Sequence, residues 1–379
     1  MRSYTIARIW DIPIRINVSL VVFLPVLAWL IGSGGQIELY AGVLEGLTDV
    51  AFDLDVLTAG NTPWAIGIAA AVGLFVSVTL HELGHSWVAI RYGLSIDSIT
   101  LWILGGMAAL SEMPREWDRE FWIAIAGPVT SVAVGAVCYV SVLALGPSLP
   151  VVRFVLGWLA LTNGILAAFN LLPAFPMDGG RILRALLARN RSYASATRVA
   201  GRIGVIFAIL FAVIGVLGFN VILLLLALFI YGAATTESRT VLLDELLEGV
   251  VVGDVMTRDP PTVSSGTTVA ELVDRMMRDR KTAYPVVDDA TGDVVGVVTL
   301  EDLRGVREVE RDAILVGEIA REVPRVDPGA DAFETLSTLT GTTGNLMLVG
   351  DERNVVGLLT QGDYAHALSM QREFQSGVR

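Results

Sequence analysis

The chain has 379 residues, of which 53% are hydrophobic and only 17% charged, with a formal net charge of −12 at pH 7. That balance excludes an ordinary soluble globular protein, in which about 45–50% apolar and 25% charged residues are usual. The single cysteine, Cys138, excludes a disulfide framework and a thiolate metal cluster, and the acidic excess argues against a nucleic-acid partner, because phosphate binding needs clustered cations.

The charge is unevenly placed. Residues 1–243 carry 14 Asp/Glu and 14 Arg, net zero, whereas residues 244–379 carry 25 Asp/Glu and 13 Lys/Arg, net −12. The expected division is a membrane-embedded domain over 1–243 and an acidic soluble domain over 244–379. Six apolar segments follow in chain order, at about 18–33, 64–90, 121–145, 154–172, 203–217 and 220–234. The first and the last two fall short of the roughly 20 residues that a bilayer crossing needs. Arginines set the orientation, since positive residues concentrate in cytoplasmic loops. Arg2, Arg8 and Arg15 precede the first segment, Arg91, Arg115 and Arg119 follow the second, and six arginines from Arg181 to Arg202 follow the fourth, while residues 34–63 contain no Lys or Arg. The expectation is a multi-pass protein of the cell membrane with both termini cytoplasmic. The Gly-Ser-Gly-Gly near residue 32 is a poor cleavage site, so the first segment is read as a retained span.

Within the second segment lies His81-Glu82-Leu83-Gly84-His85. Ionisable groups at bilayer depth are costly unless paired or ligated. On a helix, positions i and i+4 share a face, so His81 and His85 can address one cation with Glu82 beside it as general base. The site is expected inside the membrane, toward its cytoplasmic face. The third histidine of the chain, His366, reads as a solvated side chain. After the second segment, residues 98–104 are β-prone, with branched and aromatic residues ahead of Gly105-Gly106. An edge strand there could pair with a substrate backbone, or the segment could be a plain interfacial hairpin.

A third ligand must come from elsewhere, because catalytic zinc sites use three protein ligands and leave one position open. The segment from Asn170 to Gly180 offers Asp178 after a helix end broken by Pro173 and Pro176. Asp178 reads either as that ligand or as the N-cap of the helix that begins near Arg181. Asn170 reads either as a polar group facing substrate or as a helix-terminating residue.

Together, His-Glu-x-x-His at His81, Glu82 and His85 and Asn-x-x-Pro-x(4)-Asp-Gly at Asn170, Pro173, Asp178 and Gly179 resemble the site-2 protease family of intramembrane zinc metalloproteases. The resemblance implies zinc held by His81, His85 and Asp178, Glu82 as catalytic base, and Asn170 positioning substrate or stabilising the tetrahedral intermediate. It further implies that Gly105 and Gly106 lie on a strand that holds substrate in extended form. The substrate would be a membrane-anchored protein within the lipid bilayer, cut in or near a transmembrane segment.

The acidic half contains an internal repeat of about 62 residues. Gly253-Asp254-Val255 matches Gly317-Glu318-Ile319, residues 283–288 match 345–350, and residues 296–302 match 357–363. Each unit, about 250–308 and 314–370, reads as a helix, two apolar strands and a second helix at a Thr/Asp turn. This resembles a tandem pair of cystathionine-β-synthase (CBS) domains. The resemblance implies an adenine nucleotide at Thr299, Asp302, Thr360 and Asp363, or a homodimer formed through the pair. Each of those residues could instead be a helix cap. The second repeat is expected to be the weaker site, with Met347 where the first has Pro285.

The expected fold is therefore a multi-span α-helical membrane domain of about six helices with a small β element near the active site, followed by an α+β tandem CBS pair. The expected function is a zinc-dependent intramembrane metalloendopeptidase, possible regulation lying with a nucleotide at the CBS pair. Its rival is a membrane transporter or channel gated by that pair.

Overall fold

The computed structural model describes residues 3–103, 105–110, 114–342, 344–351 and 354–376. It divides into two compact units, Met1–Arg239 and Thr240–Arg379.

The first unit opens with a hairpin of β1 (Ser3–Ile9) and β2 (Ile12–Asn17). Trp10 and Asp11 turn it with left-handed backbone, φ 53° and 63°, the geometry that matches a tight turn to strand twist. Asn17 then caps α1 (Val18–Gly32), its side chain accepting from the Ser19 amide at 2.9 Å. The helices α2 (Gly34–Thr48), α3 (Leu54–Thr58) and α4 (Thr62–Arg91) follow, then β3 (Ile96–Trp102) and β4 (Gly105–Leu110). The unit continues through α5 (Trp117–Ala144), α6 (Pro150–Asn170), α7 (Asp178–Ala188) and α8 (Tyr193–Leu217) into α9 (Val221–Leu247).

Five helices, α4, α5, α6, α8 and α9, are long and apolar enough to cross a membrane, and the pair α1 and α2, bent by 66°, makes a sixth if taken as one span. The last two apolar segments were expected to be short. The structure lengthens both, because the helix continues through the polar turns outside the apolar run: α8 starts at Tyr193 under a Ser192 cap, and α9 runs on to Leu247. Outward faces carry exposed apolar residues such as Val132, Val140, Ile206, Val213, Ile222 and Leu228, the inverse of a soluble protein's surface.

The first sheet has the order β1-β2-β3-β4. Of the two readings of residues 98–104, an edge strand or a hairpin, the described part forms the first arm of a hairpin with β4 and is not the edge, residue 104 lying outside the described residues. Alternation of Ile12, Ile14 and Ile16 makes β2, which pairs parallel with β3, Ile14 facing Ile99. β3 is thereby interior, and β4, which begins with the two glycines, is the edge. Ile12, Ile14, Ile99 and Leu101 are buried against Leu20, Val78 and Leu83, so the sheet packs on α1 and α4.

The second unit contains α10 (Val252–Val255), β5 (Thr257–Arg258), β6 (Val263–Ser264), α11 (Val269–Asp279), β7 (Ala283–Val287), β8 (Val294–Thr299) and α12 (Leu300–Arg304). Its second half contains α13 (Val316–Ile319), β9 (Arg325–Val326), α14 (Ala332–Leu339), β10 (Leu346–Gly350), β11 (Val355–Thr360) and α15 (Gln361–Ser376). The strands make two sheets, β6-β7-β8 and β5-β11-β10-β9. β5, from the first repeat, completes the second repeat's sheet. Each repeat has its own core, around Leu272 and Tyr284 in one and Leu339 and Met347 in the other. Val297, Leu346, Leu348 and Leu358 form a third cluster drawing on both repeats.

The register of these strands corrects the alignment of the repeats by one residue. Tyr284 pairs with Val298 one step before Thr299, and Met347 pairs with Leu359 one step before Thr360. Met347 therefore corresponds to Tyr284, and the counterpart of Pro285 is Leu348. A shift of one residue exchanges the two faces of a strand, so Met347 belongs to its repeat's core, where it is 4% exposed.

Candidate active site

On the 30-residue helix α4, Ser77, His81 and His85 recur every fourth residue and all are buried. His81 and His85 are 4% and 7% exposed, their rings edge to face with centroids 4.8 Å apart. Asp178, 7% exposed, joins them from α7. Its Oδ2 lies 3.1 Å from His81 Nε2 and 3.2 Å from His85 Nε2, and the two Nε2 atoms are 3.2 Å apart. The carboxylate is the first residue of α7 rather than its cap: the N-cap is Met177, which makes no side-chain capping bond. The N-cap alternative for Asp178 is thereby set aside.

The outer nitrogens are held from α5. His85 Nδ1 is 2.6 Å from the Ile123 carbonyl oxygen, which can only accept, so the ring hydrogen sits on Nδ1 and leaves the Nε2 lone pair facing inward. His81 Nδ1 is 2.9 Å from Ser131 Oγ. Between them on α5, Gly127 has no room for a side chain: a Cβ there would stand 2.2 Å from His85 Nε2 and 2.7 Å from His81 Nε2. None of Ile123, Gly127 and Ser131 was singled out from the sequence. The signal was present as small residues at 127, 131 and 135, a stripe along one face of a membrane helix that admits close neighbours.

The three atoms suit a cation. Ligands held tetrahedrally at about 2.0–2.1 Å from zinc stand about 3.3 Å from one another, close to the three separations measured here. Two neutral imidazoles and one carboxylate also match the donor types zinc takes when cysteine is lacking.

Glu82 is half-buried on the adjacent face of α4 and rests against β4. A Cβ on Gly106 would lie 2.5 Å from Glu82 Cγ and 2.9 Å from its Oε1, so only glycine lets the strand approach. Gly105 takes φ 131°, a backbone that side chains disfavour. The two glycines therefore have separate physical reasons and together set the edge strand beside the carboxylate. Asn170 is the last residue of α6, and its Nδ2 donates to the Leu166 carbonyl at 3.0 Å. That contact fits its reading as a helix-terminating residue.

A second buried polar group joins three elements of the same unit. Arg184 of α7, fully buried, donates through Nε to Glu120 Oε1 of α5 at 2.7 Å and through Nη1 to Glu237 Oε1 of α9 at 2.5 Å. Its guanidinium also lies over the rings of Phe175 and Tyr193. The six arginines between the fourth and fifth segments had been read only as a topological signal.

In the second unit, Thr299 and Asp302 form a reciprocal cap on α12, with the Thr299 amide and hydroxyl donating to Asp302 Oδ2 at 2.8 and 2.6 Å. Arg321 pairs with the other Asp302 oxygen. Thr360 and Asp363 repeat the arrangement at 2.8 and 2.7 Å, and Thr257 donates to Asp363 Oδ1 at 2.7 Å. Arg258 donates to the Gly253 carbonyl. Asp363 also lines a groove with Gly249, Val250, Asp254 and His366. His366 is exposed on α15, as expected of a solvated side chain.

Comparison with known proteins places this geometry in context. The family model "Peptidase family M50" matches residues 69–149 and 148–211, and the CBS domain model matches 252–308 and 316–370. The zinc metalloprotease MJ0392 of Methanocaldococcus jannaschii is 31% identical over 377 residues, covering 97% of this chain and 96% of that one. A protein of Mycobacterium tuberculosis bearing the name zinc metalloprotease Rip3 is 35% identical over 335 residues, 83% of this chain and 85% of its own. The solved site-2 protease from Methanocaldococcus jannaschii shares 34% identity, covering 62% of this chain and 95% of that one at a TM-score of 0.42. Full-length similarity to metalloproteases leaves the transporter reading without support. The chain is a member of peptidase family M50, the site-2 protease family: a membrane metalloendopeptidase of the zinc type that carries a CBS domain pair.

Proposed function

We propose that the protein hydrolyses a peptide bond within or near a transmembrane segment of a membrane-anchored protein, with zinc held by His81, His85 and Asp178. The observation that carries this reading is the convergence of three lone-pair atoms at 3.1–3.2 Å inside a bundle of apolar helices. When bound, zinc supplies a Lewis acid that polarises the scissile carbonyl and makes water nucleophilic at neutral pH. Glu82 removes a proton from the attacking water as the new C–O bond forms, and then delivers it to the departing amine nitrogen as the C–N bond breaks and the carbonyl re-forms. The substrate chain lies extended along the free edge of β4, with Gly105 and Gly106 letting its backbone approach Glu82. A helical substrate must unwind locally before it can do so. Asn170 acts on the substrate carbonyl once its bond to Leu166 opens.

Arginine placement supports cytoplasmic termini in the cell membrane. The CBS pair is assigned a regulatory role, with an adenine nucleotide in the groove beside Asp363, whose carboxylate suits ribose hydroxyls, and homodimerisation through the pair as a second mode. ATP or AMP that changes neither cleavage rate nor thermal stability removes the nucleotide assignment.

The central test is purified protein assayed for metal and for cleavage of a single-span substrate. Wild type is expected to hold one zinc and to cut. Glu82→Gln is expected to keep the zinc and lose about 10²–10⁴-fold in rate, the usual worth of a general base. Equal cleavage by Glu82→Gln overturns the mechanism.

A further inference from the structure

One helical turn from the metal cluster lies a polar group that the chemistry above does not use. Asn163 of α6 is 0% exposed in the middle of a candidate span. Its Nδ2 donates to Ser77 Oγ at 3.0 Å and to the Leu159 carbonyl at 2.8 Å, but its Oδ1 is buried without a hydrogen-bond partner among the described residues. A buried amide oxygen in an apolar bundle costs free energy unless it accepts a hydrogen bond.

The two neighbours of Asn163 place it relative to the metal layer. Ser77 is one turn from His81 on α4. Gly135 is one turn from Ser131 on α5, and a Cβ on Gly135 would stand 3.3 Å from Asn163 Cβ. Asn163 therefore lies in the layer one turn, about 5.4 Å along the helix axes, beyond that of the His81 and Ser131 contact, and one water making two hydrogen bonds is the size of link that joins such layers.

Ser131 has the complementary deficit. For His81 Nε2 to present a lone pair to a cation, the ring hydrogen must be on Nδ1 and must be donated to Ser131 Oγ. The Ser131 hydroxyl hydrogen then needs an acceptor, and its only hydrogen bond among the described residues is the 2.9 Å contact to His81. Other hydroxyls on these helices, Ser77 and Thr130 among them, donate to the carbonyl four residues back. If Ser131 instead donated to Nδ1, the hydrogen of His81 would move to Nε2 and block ligation.

We infer that Asn163 is a positioning residue for the metal centre: through one buried water its Oδ1 accepts the Ser131 hydroxyl hydrogen, which commits His81 to the ring form that can bind zinc. The inference rests on the reading of His81 as a zinc ligand. The test is zinc affinity of the full-length protein by chelator competition, a readout independent of cleavage. Asn163→Ala and Ser131→Ala are each expected to weaken zinc binding about tenfold, within the range seen when groups that orient a ligand are removed. The double variant is expected to be no weaker than Ser131→Ala by more than twofold, because both act through one hydrogen. Asn163→Asp, which keeps an acceptor oxygen, is expected to restore affinity, and Ser77→Ala, which disturbs the same layer but spares Oδ1, to leave it within twofold. Asn163→Leu, which fills the volume, serves where Asn163→Ala does not purify. Wild-type affinity in the Asn163 variants, or effects that multiply in the double variant, overturns the inference alone. Zinc retained by His81→Ala overturns the ligand reading and this inference with it.

Discussion

Two of the buried polar clusters among the described residues of the first unit are built on different principles. Around Arg184 a cation is already present: one guanidinium donates to carboxylates on α5 and α9, so the cluster supplies its own counter-charge, although Glu120 Oε2 is buried without a hydrogen-bond partner among the described residues. Around His81 three acceptor atoms face one another at 3.1–3.2 Å, and both imidazoles have their Nδ1 turned away onto α5. On the reading proposed above, the first arrangement is a fastening and the second is a socket. Buried ionisable groups in a membrane bundle are therefore not functional by burial alone. What separates the two is whether the cation that the carboxylates face is one of the protein's own side chains.

The contrast breaks most clearly by emptying each cluster. Asp178→Ala should abolish stoichiometric zinc and with it cleavage, a loss of at least about 10³-fold, while the folded protein remains purifiable; retained zinc would mean that the socket reading is wrong. Arg184→Met should do the reverse. It leaves Glu120, buried on α5, without its partner, and breaking a buried pair from one side costs about 3–5 kcal/mol. Thermal unfolding should fall steeply, yet the protein that remains folded should bind zinc as wild type does. Adding Glu120→Leu should return part of the loss, since removing both charges is less harmful than stranding one. A double variant less stable than Arg184→Met would show that the cluster is not a simple charge pair.

Two glycines sharpen the contrast within the socket itself. Gly127→Ala drives a methyl to within 2.2 Å of His85 Nε2, whereas Gly106→Ala drives one against Glu82. The former should weaken zinc binding, and the latter should leave zinc in place but lower kcat by about 10- to 100-fold, since small misplacement of a reacting group is costly. Metal analysis beside steady-state kinetics separates them, and zinc lost from Gly106→Ala would contradict the division of labour between α5 and β4.

How much of this was legible follows from distance along the chain. His81 and His85 were readable as a pair because a spacing of four on one helix defines a shared face, with Glu82 next to it, whatever the tertiary fold. Asp178 was readable through its motif but ambiguous between ligand and cap, since both roles favour a carboxylate at a helix start; that it faces His81 and His85 shows only once α7 stands beside α4. Ser131 and Ile123 were not readable, because a hydroxyl and a backbone carbonyl carry no chemical signature until α5 packs against α4. The edge strand was misplaced for a similar reason. Residues 98–104 are β-prone on any scale, but which side is free depends on the hairpin of residues 3–17, some eighty residues away, supplying β2. The one-residue slip between the CBS repeats arose because the turns joining the strands differ in length, which pairing partners reveal and residue similarity does not.

The smallest expected effect concerns the second unit, where the closed and open principles meet again. Thr299 and Thr360 cap α12 and α15 while their aspartates accept from them, so as found both pairs are closed. Thr360→Ala should cost this unit about 1 kcal/mol, the ordinary worth of a helix cap, and Thr360→Ser, which keeps the hydroxyl, only a few tenths. Zinc content should not change in either. A nucleotide that uses this position must compete with the cap, so stabilisation of the wild type by ATP should shrink in Thr360→Ala and persist in Thr360→Ser. Equal stabilisation of all three would place the nucleotide away from Asp363 and leave the Thr/Asp pair as a helix cap and nothing more.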